Sequence, residues 1–240
     1  MTKVALITGA NKGIGFETAR QLAKQGIKVL LGARDEKRGT EAALKLKAEG
    51  LDVEFVQLDM NNYETHKNVG NFIQEKFGKL DILINNAGIM EEPTTSSKAS
   101  LETYRKIFET NFFSVIALTQ TLLPLIEKSE EGRIVNLTSL LGSLTAHSDK
   151  TSFIYDFKSV PAYNLSKTAL NAFTVHLAYE LKDTKIKVNS AHPGYVKTDM
   201  TGDHAPMEVE DGAKTSVSLA TLPSDGATGG FFHLGETIAW

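Results

Sequence analysis

The stretch Thr8-Gly9-Ala10-Asn11-Lys12-Gly13-Ile14-Gly15 decides how this chain is read. The run Val4-Ala5-Leu6-Ile7 before it is too short for a helix and apolar enough for a buried strand. The run Phe16 to Ala23 after it has the spacing of an amphipathic helix. The glycines therefore sit on a strand-to-helix turn. Gly9 and Gly13 permit tight backbone geometry and close approach of a ligand, and Gly15 permits close helix packing. A helix N-terminus offers free N–H groups and partial positive charge to a pyrophosphate. The spacing is G-x-x-x-G-x-G rather than the commoner G-x-G-x-x-G. On this stretch alone, a glycine-rich turn with no ligand is the plain alternative.

The chain has 240 residues, 41% of them hydrophobic, which suits a soluble domain with a sizeable core. A net charge of −3 gives no polyanion-binding surface, so no nucleic-acid partner is expected. There is no cysteine, which excludes disulfides, thiolate nucleophiles and thiolate metal sites and suits a cytoplasmic location. The opening residues show no basic leader ahead of an apolar segment. No apolar run reaches about 18 residues, so no membrane span is expected. The six histidines are scattered outside metal-ligand spacing, so no metal site is expected.

Strand and helix patterns alternate along the chain. Strands are expected at Lys28–Gly32, Val53–Leu58, Asp81–Ile84, Arg133–Leu137, Lys187–Ser190 and Phe231–Leu234. Helices are expected at Asp35–Glu49, Tyr63–Phe77, Leu101–Ile126 and Pro161–Leu181. The βαβα order predicts a single α/β domain: a Rossmann-type, doubly wound parallel sheet of about seven strands with helices on both faces. Two stretches are irregular, Leu141–Ser159 and Tyr195–Ala213, and irregular stretches of this length are often functional lids.

In such a sheet, ligands sit beyond the carboxyl ends of the strands. Arg34 follows the second strand, Lys12 lies in the glycine turn and Arg38 follows shortly after. Cations there suit a 2′-phosphate and favour NADP over NAD; Asp35 works slightly against this. Asp59 ends the third strand, where it could meet an exocyclic amine such as that of adenine or act as a turn residue. Asn85-Asn86-Ala87-Gly88 ends the fourth with amides that can pin a loop.

Tyr163 and Lys167 stand at i and i+4 on a helix that Pro161 opens, and so share a face. A phenol titrates near 10, too high for easy proton exchange at neutral pH, and a neighbouring cation would lower it. Ser139 can hold a carbonyl oxygen, and Asn111 is a polar residue in an apolar helical run that needs a partner. Each has a bland structural reading alone; their order behind the glycine turn gives them force.

Together these residues resemble the short-chain dehydrogenase/reductase family. Thr8–Gly15 matches its T-G-x-x-x-G-I-G, Asn85–Gly88 its N-N-A-G, Tyr163/Lys167 its Y-x-x-x-K, and Pro193-Gly194 with Thr198 its P-G-x-x-x-T. More narrowly, Asn11–Gly15, Gly32–Gly39, Thr110–Phe113, Leu122–Ile126, Pro193–Met200 and the terminal Trp240 resemble the NADPH-dependent carbonyl reductases. It implies reversible hydride transfer between NADP(H) and a small carbonyl or alcohol. Tyr163 would be general acid, Lys167 its modulator and ribose ligand, Ser139 the carbonyl anchor and Asn111 the holder of a water. It also implies cofactor contacts from Gly9, Asn11, Lys12, Gly13, Ile14, Gly15, Arg34, Arg38, Asp59, Met60, Asn86, Ala87, Gly88, Pro193, Gly194, Val196 and Thr198. In this frame residues 1–137 form the dinucleotide-binding half and 138–240 the catalytic and lid half. The interval from Ser139 to Tyr163 is intermediate in length for the family, which leaves monomer and homodimer both open. Within it, Leu140, Leu141, Leu144, Phe153, Ile154, Tyr155 and Phe157 either line a substrate pocket or cover a helix; Tyr195, Met200, His204 and Met207 are the opposing lid. A related alcohol, sugar or acyl-thioester enzyme and a non-catalytic dinucleotide sensor are the competing readings.

Overall fold

Residues 2–240 are described by a computed structural model. The strands are β1 Val4–Ile7, β2 Lys28–Ala33, β3 Val53–Gln57, β4 Ile82–Asn85, β5 Arg133–Leu137, β6 Lys187–Ala191, β7 Phe231–His233 and β8 Glu236–Thr237. They form one sheet in the order β3-β2-β1-β4-β5-β6-β7-β8. The first seven run parallel, and β8 returns antiparallel to β7. The expected seven strands thus become eight. The extra one is two residues long, too short for periodicity to register, and follows a tight turn at Leu234 (φ 47°) and Gly235 (φ 90°).

The helices are α1 Gly13–Lys24, α2 Glu36–Ala48, α3 Tyr63–Phe77, α4 Leu101–Phe108, α5 Ser114–Ile126, α6 Leu144–Ser148, α7 Pro161–Glu180 and α8 Val209–Ala220. Strand residues alternate between two apolar layers, as the two-residue period requires. Leu6, Leu30, Leu83 and Ile134 face Val69 and Ile73 of α3, Leu118 and Leu122 of α5, and Leu170 and Leu177 of α7. Ala5, Ile7, Leu31, Ile84 and Val135 face Ala19 and Leu22 of α1, Ala42 and Leu46 of α2, and Val217 and Leu219 of α8. The core strands are buried on both faces, which is why they read as unbroken apolar runs.

Two expectations are corrected. The helix predicted over Leu101–Ile126 is broken by a π-turn at Glu109–Phe113, where Ser114 Oγ donates to Glu109 O at 2.7 Å. The irregular stretch after β5 contains a 3₁₀ turn, Leu140–Gly142, and the short helix α6. Among the described residues no helix is long and apolar enough to cross a membrane. None of their His, Cys, Asp and Glu side chains cluster in threes as a metal site would need.

Candidate active site

The strand order reverses at β1, which has β2 on one side and β4 on the other. The ends of β1 and β4 are tied together there. Thr8 Oγ1 accepts from Asn86 N at 3.0 Å and Ala87 N at 2.9 Å, and Asn86 Nδ2 donates to Thr8 O at 2.7 Å and Gly9 O at 3.2 Å. Gly9 has φ 63°, and a β-carbon there would stand 3.0 Å from Ala87 Cα. Only glycine combines that dihedral with that approach. Asn86, expected at a ribose, thus commits its amide N–H groups to the glycine turn.

The helix α1 begins at Gly13, earlier than the sequence pattern suggested, so Gly13, Ile14 and Gly15 lie in its first turn. Its N-cap, Lys12, provides no side-chain cap, and the first turn holds no acidic residue. Uncapped N–H donors at the positive end of a helix fit an anion such as a pyrophosphate, so the residues present suit a dinucleotide. Asn11 and Lys12 complete the turn, with Lys12 paired to Asp199 from the distant lid. Arg34 is exposed at the end of β2. Arg38 is exposed as well, and its Nε lies 3.5 Å from Asp35 Oδ2. Asp59 Oδ1 accepts from Asn61 N at 3.0 Å, a turn contact that leaves its other carboxylate oxygen unused by it. Met60 packs its side chain into the core.

Asn111 sits in the π-turn, fully buried. Its Oδ1 accepts from Ile89 N at 2.9 Å; its Nδ2 donates to Ile89 O at 2.8 Å and Ser166 Oγ at 3.1 Å. A β-carbon on Gly88 would lie 3.5 Å from both Asn111 Oδ1 and Lys167 Nζ, so the two polar groups converge beside that glycine. Lys167 donates to Leu137 O at 2.8 Å and holds its ammonium 5.5 Å from the centre of the Tyr163 ring. Ser139 begins the 3₁₀ turn, and its Oγ accepts from Leu141 N at 3.2 Å. That turn is pressed onto α7: a β-carbon on Gly142 would stand 2.8 Å from the Lys167 carbonyl carbon, and Thr168 Oγ1 donates to Gly142 O at 3.0 Å. Ser139, Tyr163 and Lys167 therefore share one rigid corner.

The acidified phenol expected from the Tyr163–Lys167 spacing is not what the protein alone provides. Burial pushes the Tyr163 hydroxyl up to about 12; the Ser139 hydroxyl beside it pulls down and the Glu91 charge adds to the rise. Burial also pushes the Lys167 ammonium down to about 8. Burial is the largest influence on both groups because both are almost fully enclosed, and neither shift draws on the other group.

Across the groove, Pro193 and Gly194 follow β6. Gly194 has φ 95°, and a β-carbon there would lie 2.2 Å from Met207 Sδ. Tyr195 and Met207 are bound through Met207 N to Tyr195 O at 3.1 Å, with Lys197 N on Met207 O at 2.8 Å. Val196 turns its side chain away from the groove, against Gly212 of α8, and only 2% of it is exposed. Thr198 reaches the glycine turn, where a β-carbon on Gly13 would lie 3.6 Å from its Cγ2. Tyr195 and Met200 stand on the outer part of this lid, and His204 is exposed. Leu140 and Leu141 are half-buried beside Ser139. The Phe153 ring is 78% exposed, while Ile154 beside it is buried. Phe157 is exposed as well, and the Tyr155 ring takes the Lys158 ammonium at 4.2 Å.

Three site neighbours escaped the sequence reading. Gly142 carried a signal, a lone glycine just after the serine. His192, before Pro193, accepts on Nδ1 from Leu140 N at 3.2 Å and Gly194 N at 3.4 Å, so it joins the serine turn to the lid. Glu91 gave no local sign, because its contacts lie 71 and 72 residues away.

The model of the short chain dehydrogenase family matches residues 3–209. A (−)-isopiperitenone reductase of Mentha piperita is 36% identical, aligned over 99% of this chain and 98% of its own. A carbonyl reductase [NADPH] 3 of Rattus norvegicus is 36% identical, over 93% and 92%. Among solved structures, the NADPH-bound carbonyl reductase from chicken fatty liver superposes with a TM-score of 0.88 at 26% identity, over 100% of this chain and 99% of that one.

Proposed function

This chain belongs to the short-chain dehydrogenase family of oxidoreductases, and from that premise we propose that it reduces aldehydes and ketones to alcohols, reversibly, with NADPH. The observation that carries the reading is the corner where Ser139, Tyr163 and Lys167 meet beside an uncapped helix N-terminus. The relatives named as NADPH carbonyl reductases support it, as does the bound dinucleotide in one of them.

Residues 1–137 hold the dinucleotide in this reading, and 138–240 supply catalysis and lid within one domain. The N–H groups of Gly13 to Gly15 receive the pyrophosphate, and Lys12 and Arg34, with Arg38 behind them, receive the 2′-phosphate. Asp59 and Met60 border the adenine, Asn86 to Gly88 the ribose, and Pro193, Gly194, Val196 and Thr198 the nicotinamide, chiefly through main chain. A reduced nicotinamide, when bound, supplies the hydride. Ser139 holds the substrate oxygen. Tyr163 Oη donates its proton to that oxygen, and the high phenol pKa keeps it in the donor form at neutral pH. Lys167 then offers its ammonium to the phenolate left behind, a role eased by titrating near 8. Asn111 fixes the backbone at Ile89 behind Lys167. Leu140, Leu141, Tyr195 and Met200 give the small-molecule substrate an apolar rim. A cytoplasmic location suits the absence of cysteine.

The test is Tyr163→Phe. Loss of a positioned general acid costs about 10²–10⁴ in kcat, with NADPH affinity kept. A variant that reduces carbonyls as fast as the parent overturns the mechanism. Tighter binding of NADH than NADPH to the parent overturns the cofactor assignment.

A further inference from the structure

The N-terminus of α7 has an accounting problem that a distant residue solves. A helix leaves its first N–H groups without intrahelical partners. Here Pro161 stands at N1 and has no N–H to satisfy. Asn164 N is already bonded to Val160 O at 3.0 Å. That leaves Ala162 N and Tyr163 N, on residues only 0% and 9% exposed, while the N-cap Val160 provides no side-chain acceptor. Both amides are taken by Glu91. Its Oε1 accepts from Ala162 N at 2.7 Å and from Tyr163 N at 3.3 Å, and its Oε2 from Tyr163 N at 3.1 Å. Glu91 lies three residues beyond the Asn85–Gly88 strand end. A second bond, Thr94 N to Ser159 O at 2.6 Å, joins the same loop to the approach to α7.

We propose that Glu91 is a positioning residue for the reaction: it clamps the first turn of the helix bearing Tyr163 to the loop that leaves β4, and so fixes where the phenol stands against Ser139. The proposal rests on the functional reading above. The contact falls on the main-chain nitrogen of the very residue read as proton donor, so a slip of the helix end moves that hydroxyl directly. Misplacement of a reacting group by about 1 Å can cost on the order of 10²-fold in rate. A carboxylate at a helix N-terminus is also favoured by the helix dipole. Its charge works against ionisation of the phenol; position, not acidification, is what Glu91 contributes.

The experiment compares Glu91→Ala, Glu91→Gln and Glu91→Asp in the full chain. Three quantities are read: hydrogen exchange at the Ala162 and Tyr163 amides, NADPH affinity, and kcat with a simple aromatic aldehyde. One oxygen already accepts from both amides, so Gln can reproduce the clamp. The expected result for Glu91→Ala is exchange at those two amides faster by at least tenfold and kcat lower by at least tenfold, with KM and Kd for NADPH within twofold of the parent. Glu91→Gln should bring exchange and kcat back to within about threefold. Unchanged exchange or unchanged kcat in Glu91→Ala overturns the proposal, as does failure of Gln to rescue. If Glu91→Ala does not fold, Glu91→Asp replaces it: one methylene shorter, it should exchange faster and turn over more slowly than Glu91→Gln, and equality of the two overturns the proposal. A parent protein with no carbonyl turnover would defeat the functional reading, while the exchange contrast would still decide the Glu91 clamp.

Discussion

Replacing His192 by Asn should change how the protein responds to acid, and by an amount the structure fixes. Burial, with the tilted His233 ring 4.8 Å away adding to it, pushes the His192 imidazole from its ordinary 6.5 down to about 3. Its Nδ1 accepts from two main-chain N–H groups, Leu140 and Gly194, so protonating that nitrogen would break both contacts. His233 offers no relief, since its Nδ1 lies 2.9 Å from the His192 carbonyl oxygen. Between pH 6.5 and 3 the unfolded chain therefore holds a proton at this residue that the folded chain does not. Stability from this group is complete above pH 6.5 and declines as the pH falls through that window. At pH 4.5 the deficit is two pH units at about 1.36 kcal/mol each, or about 2.7 kcal/mol. Asn presents an amide oxygen near the Nδ1 position and does not titrate. Urea unfolding of parent and His192→Asn at pH 7.5 and pH 4.5 measures the difference; with an m-value of about 3 kcal/mol/M the parent should lose roughly 0.9 M more in midpoint than the variant. Carboxylates and the other histidines titrate in both proteins and cancel. Equal midpoint losses in the two proteins would show that His192 is not held neutral by its surroundings.

Asp199→Asn should free Lys12 for a 2′-phosphate. The exposed ion pair is worth about 0.2–1 kcal/mol, so NADPH should bind up to about fivefold tighter by fluorescence titration while NADH is unaffected; equal shifts for both would remove Lys12 from the phosphate site. Gly15→Ala would set a β-carbon 2.4 Å from Asn86 Nδ2 and 2.8 Å from Gly9 O, and overpacking of that kind costs about 1–3 kcal/mol in denaturant unfolding. Gly70→Ala, in the interior of α3 with its nearest neighbour at 3.5 Å, should instead stabilise by about 0.5–1 kcal/mol. If both glycines responded alike, the close approach at Gly15 would be disproved.

What could be read from the sequence was what depends on near neighbours. The glycine turn, the Asn-Asn-Ala-Gly strand end and the Tyr163/Lys167 face are set by spacings of a few residues, and the alternation of strand and helix follows from hydrophobic period. What escaped depends on pairs far apart in the chain. Lys12 meets Asp199 across 187 residues, and Glu91 reaches α7 across 71. The π-turn at Glu109–Phe113 leaves no mark on a pattern that looks helical throughout. The titration of Tyr163 likewise depends on the packed chain. Spacing announces the lysine, but enclosure, which only the packed chain reveals, decides the sign.

That π-turn holds one residue more than the α-helical ladder on either side. The faces of Leu101–Phe108 and Ser114–Ile126 are consequently out of phase by roughly 100°, the rotation of one helical residue. Exchanging an outward side chain such as Phe113 leaves this offset intact. Removing Glu109, Thr110, Phe112 or Phe113 would heal the ladder, re-phase the two halves and swing the Asn111 amide out from behind Ile89. For this segment the count of residues is a tighter constraint than their identity.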